Sequence, residues 1–239
     1  MSALAVEKLD LHHGLLHAVR EVSLEVARGE VVALVGANGA GKTTLLRAIA
    51  GAHRPSSGRI LFDWQDITGA PAHRRVGMGI ALVPEGRRLF ASMSVEENLL
   101  LGRMAGRSGP WNSERVFQTF PNLAARRQAK AGTLSGGEQQ ATAIGRALMS
   151  NPALLLLDEV SLGLSPIAVD RLYESLGELM QSGTTIILVE QDLGRAMRVA
   201  SRVICLLEGR VALEGATAAL PREKVTEAYF GLNREAVPA

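Results

Sequence analysis

The order of apolar and polar positions divides the chain into segments of different predicted structure. Residues 4–10 and 19–26 alternate between apolar and polar side chains, which predicts strands that turn one face to solvent. Residues 31–35 form an unbroken apolar run that ends at Gly36, as expected for a strand covered on both faces. Residues 44–50 follow with apolar positions at helical spacing, so a buried strand and then a helix are predicted here.

The same alternation of buried strand and helix returns late in the chain. Residues 154–157 and 184–189 are mainly apolar and are followed directly by acidic residues, and each predicts a buried strand. Between them, residues 167–181 predict a helix closed by Gly183. This order favours a parallel sheet with helices on both faces. Two short strands are expected around a turn at residues 208–210.

The middle of the chain has a different pattern. Residues 95–149 show helical spacing and no good strand, with glycine, serine and proline at 106–110. Ser94 is placed to cap a helix, and residues 115–120 and 138–150 predict others. We therefore expect a helical lobe inserted into the α/β core.

Composition narrows the class of protein. The 239 residues are 47% hydrophobic with a net charge of +2, which is too small to indicate a nucleic-acid partner. The single cysteine, Cys205, excludes an internal disulfide, suits a reducing compartment and lies in an apolar run that predicts a buried thiol. No secretory segment or apolar run of about 18 residues occurs, so a soluble, cytoplasmic chain is expected, with any membrane role supplied by a partner.

The most specific motif is the loop Gly36–Thr44, which matches G-x-x-x-x-G-K-[ST] between a predicted buried strand and a helix. Glycines let backbone N–H groups surround phosphates, and the helix N-terminus adds its positive end. Lys42 would place its charge on the β and γ phosphates of ATP, and Thr43 would ligate Mg²⁺. The predicted nucleotide contacts in this loop are Gly36, Asn38, Gly39, Ala40, Gly41, Lys42, Thr43 and Thr44.

A second motif consists of Asp158 and Glu159 at the end of the apolar run 154–157. Ligands of open α/β sheets bind at the carboxyl ends of strands. Asp158 would hold Mg²⁺, directly or through water, and Glu159 would act as general base on the attacking water. An apolar run followed by two acidic residues is common and indicates little by itself. Together with the loop at 36–44, it predicts a nucleotide-hydrolysis site.

The segment Leu134–Gln139 resembles the signature of the ATP-binding cassette family. Ser135, Gly136, Gly137 and Glu138 would form a second anion site at a helix start. Within one subunit this site is expected far from the first loop, so its phosphate must come from a partner. The resemblance therefore implies a head-to-tail dimer with ATP at the interface.

The resemblance covers nearly the whole chain and is closest to the ATPase subunits of branched-chain amino acid importers. It implies an α/β, P-loop NTPase ABC ATPase core, a mixed sheet with flanking helices and an antiparallel β subdomain, with an inserted helical subdomain. Residues 1–239 would form one nucleotide-binding domain, with core 1–86 and 151–239 and helical subdomain 87–150. The stretches that carry this resemblance are 36–44, 83–90, 94–99, 161–166, 189–191 and 227–231.

Several positions depart from the general cassette pattern. Glu85 stands where a glutamine usually ligates Mg²⁺ and links the site to membrane subunits, and a carboxylate can also ligate the metal. Gln191 stands where a catalytic histidine usually contacts the γ-phosphate, and its amide can donate the same hydrogen bond. Val160 replaces a proline after the two acids. His13 stands where an aromatic ring stacks on adenine, although His12 or a plain surface histidine remains open.

The resemblance implies a subunit that powers an importer from the cytoplasmic face of the inner or plasma membrane. Its partners would be a second nucleotide-binding subunit, identical or a sister ATPase, the membrane permease subunits and, indirectly, a solute-binding protein. An importer of urea or amides is an alternative, although related urea importers tend to carry glutamine where this chain has Glu85. The motifs are also compatible with cassettes that act on DNA or in translation, and with an ATP sensor that does not hydrolyse. Against a role on DNA, the sequence shows no sustained heptads.

Overall fold

The computed structural model describes residues 2–181 and 183–232, which form two compact units. The first unit contains residues 2–70 and 187–232, and the second contains the described residues from 71 to 186. The strands are β1 (Ser2–His13), β2 (Leu16–Ala27), β3 (Val31–Val35), β4 (Ser57–Phe62), β5 (Gln65–Asp66), β6 (Ile80–Val83), β7 (Leu154–Asp158), β8 (Thr185–Val189), β9 (Arg202–Leu207) and β10 (Arg210–Ala216). The helices are α1 (Lys42–Ile49), α2 (Ala72–Met78), α3 (Val95–Gly102), α4 (Ser113–Thr119), α5 (Pro121–Ala124), α6 (Gly136–Leu148), α7 (Pro166–Gln181), α8 (Leu193–Val199) and α9 (Arg222–Phe230).

An antiparallel sheet of order β2-β1-β4-β5 forms one part of the first unit. Leu4 pairs with Val26 of β2 on one side and with Phe62 of β4 on the other, and all three side chains are buried. The alternating patterns at 4–10 and 19–26 are thus confirmed as strands, and both strands run longer than predicted. One face of the sheet is apolar because alternate residues point to the same side.

The other part of the first unit is built around the fully buried strand β3. Strand β9 runs parallel to β3, with Val35 opposite Cys205, and β10 pairs antiparallel with β9. Cys205 is buried as predicted, and burial raises the pKa of its thiol to about 11. Strand β8 ends in this unit, since the boundary between the units falls at Ile187.

The second unit combines a short parallel strand pair with helices. Strand β6 runs parallel to β7, with Val83 opposite Leu157. Between residues 95 and 149, all of which are described, the structure has helices and turns and no strand, so that prediction is confirmed. A Cβ at Gly145 of α6 would lie 2.6 Å from Val116 Cγ1 of α4 and 2.8 Å from Leu99 Cδ2 of α3, so a larger residue would force these side chains to move.

The mixed parallel and antiparallel strands with flanking helices confirm the predicted α/β class. The predicted helical subdomain 87–150 lies within the second unit, which also contains β6 and β7; the division into core and subdomain remains a prediction. Among the described residues, no helix is long and apolar enough to cross a bilayer.

Candidate nucleotide-binding and hydrolysis site

The loop between β3 and α1 passes very close to neighbouring backbone. Gly36 has φ 147°, and a Cβ at that position would lie 2.2 Å from the carbonyl oxygen of Leu206. Gly41 has φ 100°, and its Cβ would lie 2.5 Å from the carbonyl oxygen of Ala18. Both positions need glycine for conformation and for space. The motif glycines therefore fix the path of the chain into α1.

Lys42 is the first residue of α1, and its side chain folds back over this loop. The residue is 4% exposed, and Nζ donates to the carbonyl oxygens of Gly36 at 2.7 Å and Ala37 at 3.0 Å. A buried ammonium is stable only with such acceptors or with an anion. The loop thus holds a positive charge at the start of a helix, where the backbone also favours anions.

The remaining loop residues lie around this charge. Asn38 and Gly39 are exposed at the tip of the loop, whereas Ala40 is buried. Thr43 and Thr44 lie in the first turn of α1. The predicted contacts of this motif therefore lie on the connection after β3 and in the first turn of α1.

His13 at the end of β1 lies beside the first turn of α1. Its Nε2 is 3.1 Å from Thr44 Oγ1, and its ring centroid is 4.6 Å from that of His53, at an interplanar angle of 54°. The hydrogen bond places His13 next to the first turn of α1, and its stacking on adenine remains a prediction. His53 was missed by sequence reasoning, because no spacing rule connects it to His13.

Gln191 follows β8, next to the strand from which the phosphate loop departs. The amide of Glu190 donates to the carbonyl oxygen of Leu34 in β3 at 3.4 Å. Glu190 is 2% exposed, and its Oε2 accepts from the Gln191 amide at 3.2 Å. Asp192 then caps α8 by accepting from the Arg195 amide at 2.9 Å, and this hydrogen bond lowers the pKa of Asp192. Glu190 is a buried carboxylate for which the sequence suggested no role.

In the second unit, the carboxyl ends of β6 and β7 bring predicted site residues to one edge. Glu85 lies two residues beyond Val83, and Glu159 lies two residues beyond Leu157, the residue that pairs with Val83. Asp158 is fully buried, and Glu159 has φ 49°. This left-handed conformation is uncommon for a glutamate. Glu85 is exposed at the same edge.

Ser135 is the N-cap of helix α6. Ser135 Oγ accepts from the Glu138 amide at 3.4 Å, and Glu138 Oε2 accepts from the Ser135 amide at 2.8 Å. This reciprocal capping box fixes the first turn, which contains Gly136 and Gly137. The N–H groups of this turn form a second predicted anion site.

A cavity of about 380 Å³ opens beside the start of α6. Ser135, Gly137 and Glu138 line one wall, and Arg171 and Leu172 of α7 line another. The cavity therefore joins the capped turn to a surface of α7 that carries both charges, on Arg171 and Glu174, and the apolar side chain of Leu172.

Comparison with known proteins places this arrangement in a family. A family model described as "ABC transporter" matches residues 19–161. The chain is 43% identical to the "High-affinity branched-chain amino acid transport ATP-binding protein BraG" of Pseudomonas aeruginosa, over 95% of this chain and 99% of that one. It is 34% identical to the "Probable branched-chain amino acid transport ATP-binding protein LivF" of Archaeoglobus fulgidus, over 94% and 97% of the two chains.

Comparison with solved structures indicates the same family. A solved "Structure of ATP binding subunit of ABC transporter" is 30% identical and has a TM-score of 0.83 over 97% of this chain and 100% of that one. Three findings point to the same family: the phosphate loop with its buried lysine, the capped signature helix and these full-length similarities. The chain belongs to the ABC transporter family, as one of its ATP-binding and ATP-hydrolysing subunits.

Proposed function

We propose that this chain binds Mg-ATP and hydrolyses it to power an importer of branched-chain amino acids. The observation that carries the proposal is the 43% identity to BraG, which extends over 95% of this chain and 99% of the relative. A match over both full lengths concerns the whole subunit, including surfaces outside the nucleotide motifs.

The first step is the binding of the triphosphate. Lys42 would turn its ammonium from the carbonyl oxygens of Gly36 and Ala37 to the β and γ phosphates. The geometry fits, because the loop already holds the charge and leaves Gly39 exposed at the tip. His13 would offer its ring to adenine. This contact competes with the bond to Thr44 and the ring contact with His53.

Thr43, Asp158 and Glu85 are the residues that would hold Mg²⁺. Among the described residues, no three histidine, cysteine, aspartate or glutamate side chains form a cluster that could hold a metal ion. When bound, Mg²⁺ would neutralise phosphate charge during phosphoryl transfer.

Hydrolysis needs a base and a hydrogen-bond donor near the γ-phosphate. Glu159, which directly follows β7, would accept a proton from the attacking water. Gln191 would donate from its side-chain amide to the γ-phosphate. The buried carboxylate of Glu190 accepts from the Gln191 backbone and so positions that residue.

The signature residues would act on the nucleotide of a second subunit. Ser135, Gly136, Gly137 and Glu138 of one subunit would close over the phosphate loop of the other, which is either a copy of this chain or a sister ATPase. The capping box fixes the backbone of the signature turn, and the cavity beside this turn leaves space for a ligand. Closure and reopening of the dimer would convert hydrolysis into movement.

The movement would reach permease subunits through the segment around Glu85. The subunit would lie at the cytoplasmic face of the inner or plasma membrane, and a solute-binding protein and the permease would choose the solute. The chain itself never contacts the amino acid.

Uptake measurements test the proposal. Cells with and without the gene are supplied with labelled leucine or labelled urea. We expect loss of leucine uptake alone, restored by the intact gene and by Lys224→Ala, which changes an exposed lysine of α9, but not by Lys42→Ala. If urea uptake falls instead, or if neither solute is affected while the purified protein hydrolyses ATP, the branched-chain assignment is wrong and the family assignment stands.

A further inference from the structure

The segment after β6 contains an unusual backbone bend. After Pro84 and Glu85, the residues Gly86, Arg87 and Arg88 have φ angles of 76°, 63° and 48°. The Arg88 amide donates to the carbonyl oxygen of Gly86 at 2.6 Å, which tightens the bend. Two consecutive arginines in the left-handed region persist only where surrounding contacts hold them.

Helix α6 holds the bend at two points. Arg87 Nη1 donates to Gln139 Oε1 at 2.8 Å, and Arg146 Nη2 donates to the carbonyl oxygen of Arg87 at 3.2 Å. Gln139 and Arg146 are seven residues apart, so they lie on one face of the helix, two turns from each other. Gln139 Nε2 donates to Ala131 O at 3.1 Å, and this bond orients the amide so that its oxygen faces Arg87.

Arg87 also packs on the first turn of the signature helix. A Cβ at Gly136 would lie 3.2 Å from Arg87 Nη2, so the guanidinium fits against this turn because residue 136 is glycine. Further along the segment, the amide of Phe90 donates to Asn98 Oδ1 at 3.0 Å, and Asn98 Nδ2 donates back to the Phe90 carbonyl oxygen at 3.1 Å. The segment is therefore fixed to α6 by Arg87 and to α3 by Asn98.

Arg88 differs from Arg87 although the two are neighbours with the same side chain. Arg87 is half-buried, whereas Arg88 is exposed. Within residues 2–181 and 183–232, the Arg88 side chain makes no hydrogen bond or ion pair. Arg88 is therefore a matched control for Arg87. Both residues have a left-handed backbone, but only the Arg87 side chain forms a hydrogen bond with α6.

We infer that Arg87 is a positioning residue that transmits the position of the Glu85 segment to the signature turn Ser135–Glu138. The inference rests on the proposed function, in which Glu85 responds to Mg²⁺ and to the permease. A shift of this segment moves both the carbonyl and the guanidinium of Arg87, and both are bonded to α6. The signature turn then changes its orientation toward the nucleotide of the second subunit, which alters turnover and leaves the phosphate loop unchanged.

Steady-state ATPase kinetics of the purified full-length chain test this role. Arg87→Ala is expected to lower kcat by about 10- to 100-fold, because small errors in the placement of catalytic groups have effects of that size. The KM for ATP should stay within about twofold, since Arg87 makes its hydrogen bonds to α6 and belongs to none of the predicted nucleotide contacts. Arg88→Ala should leave both constants within about twofold. Arg87→Lys, which keeps one donor for Gln139, should recover most of the lost kcat.

A double-mutant cycle identifies the contact itself. Gln139→Ala should lower kcat as Arg87→Ala does, and the double variant should be no slower than either single variant, because all three lack the same hydrogen bond. If Arg87→Ala fails to fold, Gln139→Ala tests the contact from the helix side. A wild-type kcat in either single variant, a loss confined to KM, or losses that multiply in the double variant would overturn the inference.

The same assay with Lys42→Ala separates this inference from the proposed function. If Lys42→Ala is inactive and Arg87→Ala is as fast as the wild type, the ATPase function stands and the role of Arg87 is wrong. If Lys42→Ala hydrolyses ATP at the wild-type rate, the phosphate loop is not the catalytic site, and both proposals fall.

Discussion

Gly36 and Leu206 approach so closely that no side chain fits between them. Strands β3 and β9 are parallel, with Val35 opposite Cys205. The residues that follow, Gly36 and Leu206, therefore lie side by side at the point where the phosphate loop begins. A Cβ at residue 36 would lie 2.2 Å from the Leu206 carbonyl oxygen. The first glycine of the motif is thus required by the packing of the sheet, whatever its role toward a ligand.

We expect Gly36→Ala to lower the free energy of unfolding by about 2–4 kcal/mol, since it adds both overlap and backbone strain. Gly39→Ala is the matched control: residue 39 has φ 83° in the same loop, but nothing lies within 4 Å of its Cβ. It should cost only about 1 kcal/mol. Urea unfolding measures both values, and equal losses would show that contact with Leu206 does not matter.

Glu159→Gln should separate ATP binding from hydrolysis. The amide keeps the size of the side chain but cannot accept a proton, so we expect kcat to fall by about 100-fold or more with ATP affinity retained. Glu178→Gln makes the same chemical change at an exposed position of α7 and should leave kcat unchanged. Phosphate release measures turnover, and gel filtration with ATP tests for a dimer held closed. A wild-type turnover would remove Glu159 from the role of base.

His13→Tyr tests stacking on adenine. A larger aromatic ring should strengthen the affinity for ATP by about 3- to 10-fold, which corresponds to the usual energy of an aromatic contact. The affinity for inorganic tripolyphosphate, which has no base, should not rise. His73→Tyr changes an exposed histidine of α2 and serves as control. Equal gains for both ligands in competition titrations would mean that His13 acts on the phosphates through Thr44.

Arg202 should stabilise the first unit in a pH-dependent manner. Its guanidinium bonds Glu30 at 2.7 Å and also contacts Glu214 and the carbonyl oxygen of Glu25. Burial opposes ionisation of Glu30, but the hydrogen bonds from Arg202 and the Ala27 amide prevail and lower its pKa. Arg202→Ala should therefore lower the free energy of unfolding by about 1–3 kcal/mol at pH 7. This range lies between the contributions usual for exposed and for buried ion pairs.

The sign of the pH effect follows from the lowered pKa of Glu30. Its contribution is complete above the unfolded pKa of about 4.3 and is lost as pH falls through the folded value. The difference in stability between Arg202→Ala and the wild type should therefore shrink below about pH 4. Arg28→Ala, which breaks an exposed pair with Asp63, should cost less than about 1 kcal/mol. Thermal unfolding at several pH values checks both, and a constant difference would contradict the role of Glu30.

Buried strands and motif helices could be predicted because their signals are local. An unbroken apolar run such as Val31–Val35 is compatible with few structures, and the capping serines Ser94 and Ser135 lie three residues before a glutamate. Strand β4 was missed because only two of its six residues are buried and because it begins with Ser57 and Gly58. Helix α9 was missed for a similar reason, since Val225 and Ala228 are its only buried residues.

Contacts between distant residues could not be predicted from spacing. Arg87 and Gln139 are 52 residues apart, and the ring contact of His13 with His53 joins the end of a strand to a loop after α1. Such contacts depend on how whole elements pack, and a single sequence shows no period that relates them. The sequence could therefore predict which residues have side chains suited to bind or hydrolyse a nucleotide. The residues that hold those side chains in place could be identified only from the structure.

The burial of Cys205 makes the protein suitable for site-specific labelling. It is the single cysteine in the sequence, and its thiol is fully buried with a pKa raised to about 11, so very little reactive thiolate exists near neutral pH. A maleimide dye would then react with a cysteine introduced at an exposed position and leave the native thiol untouched. Without such a cysteine, slow modification of Cys205 would report each separation of β9 from β3, which carries the phosphate loop.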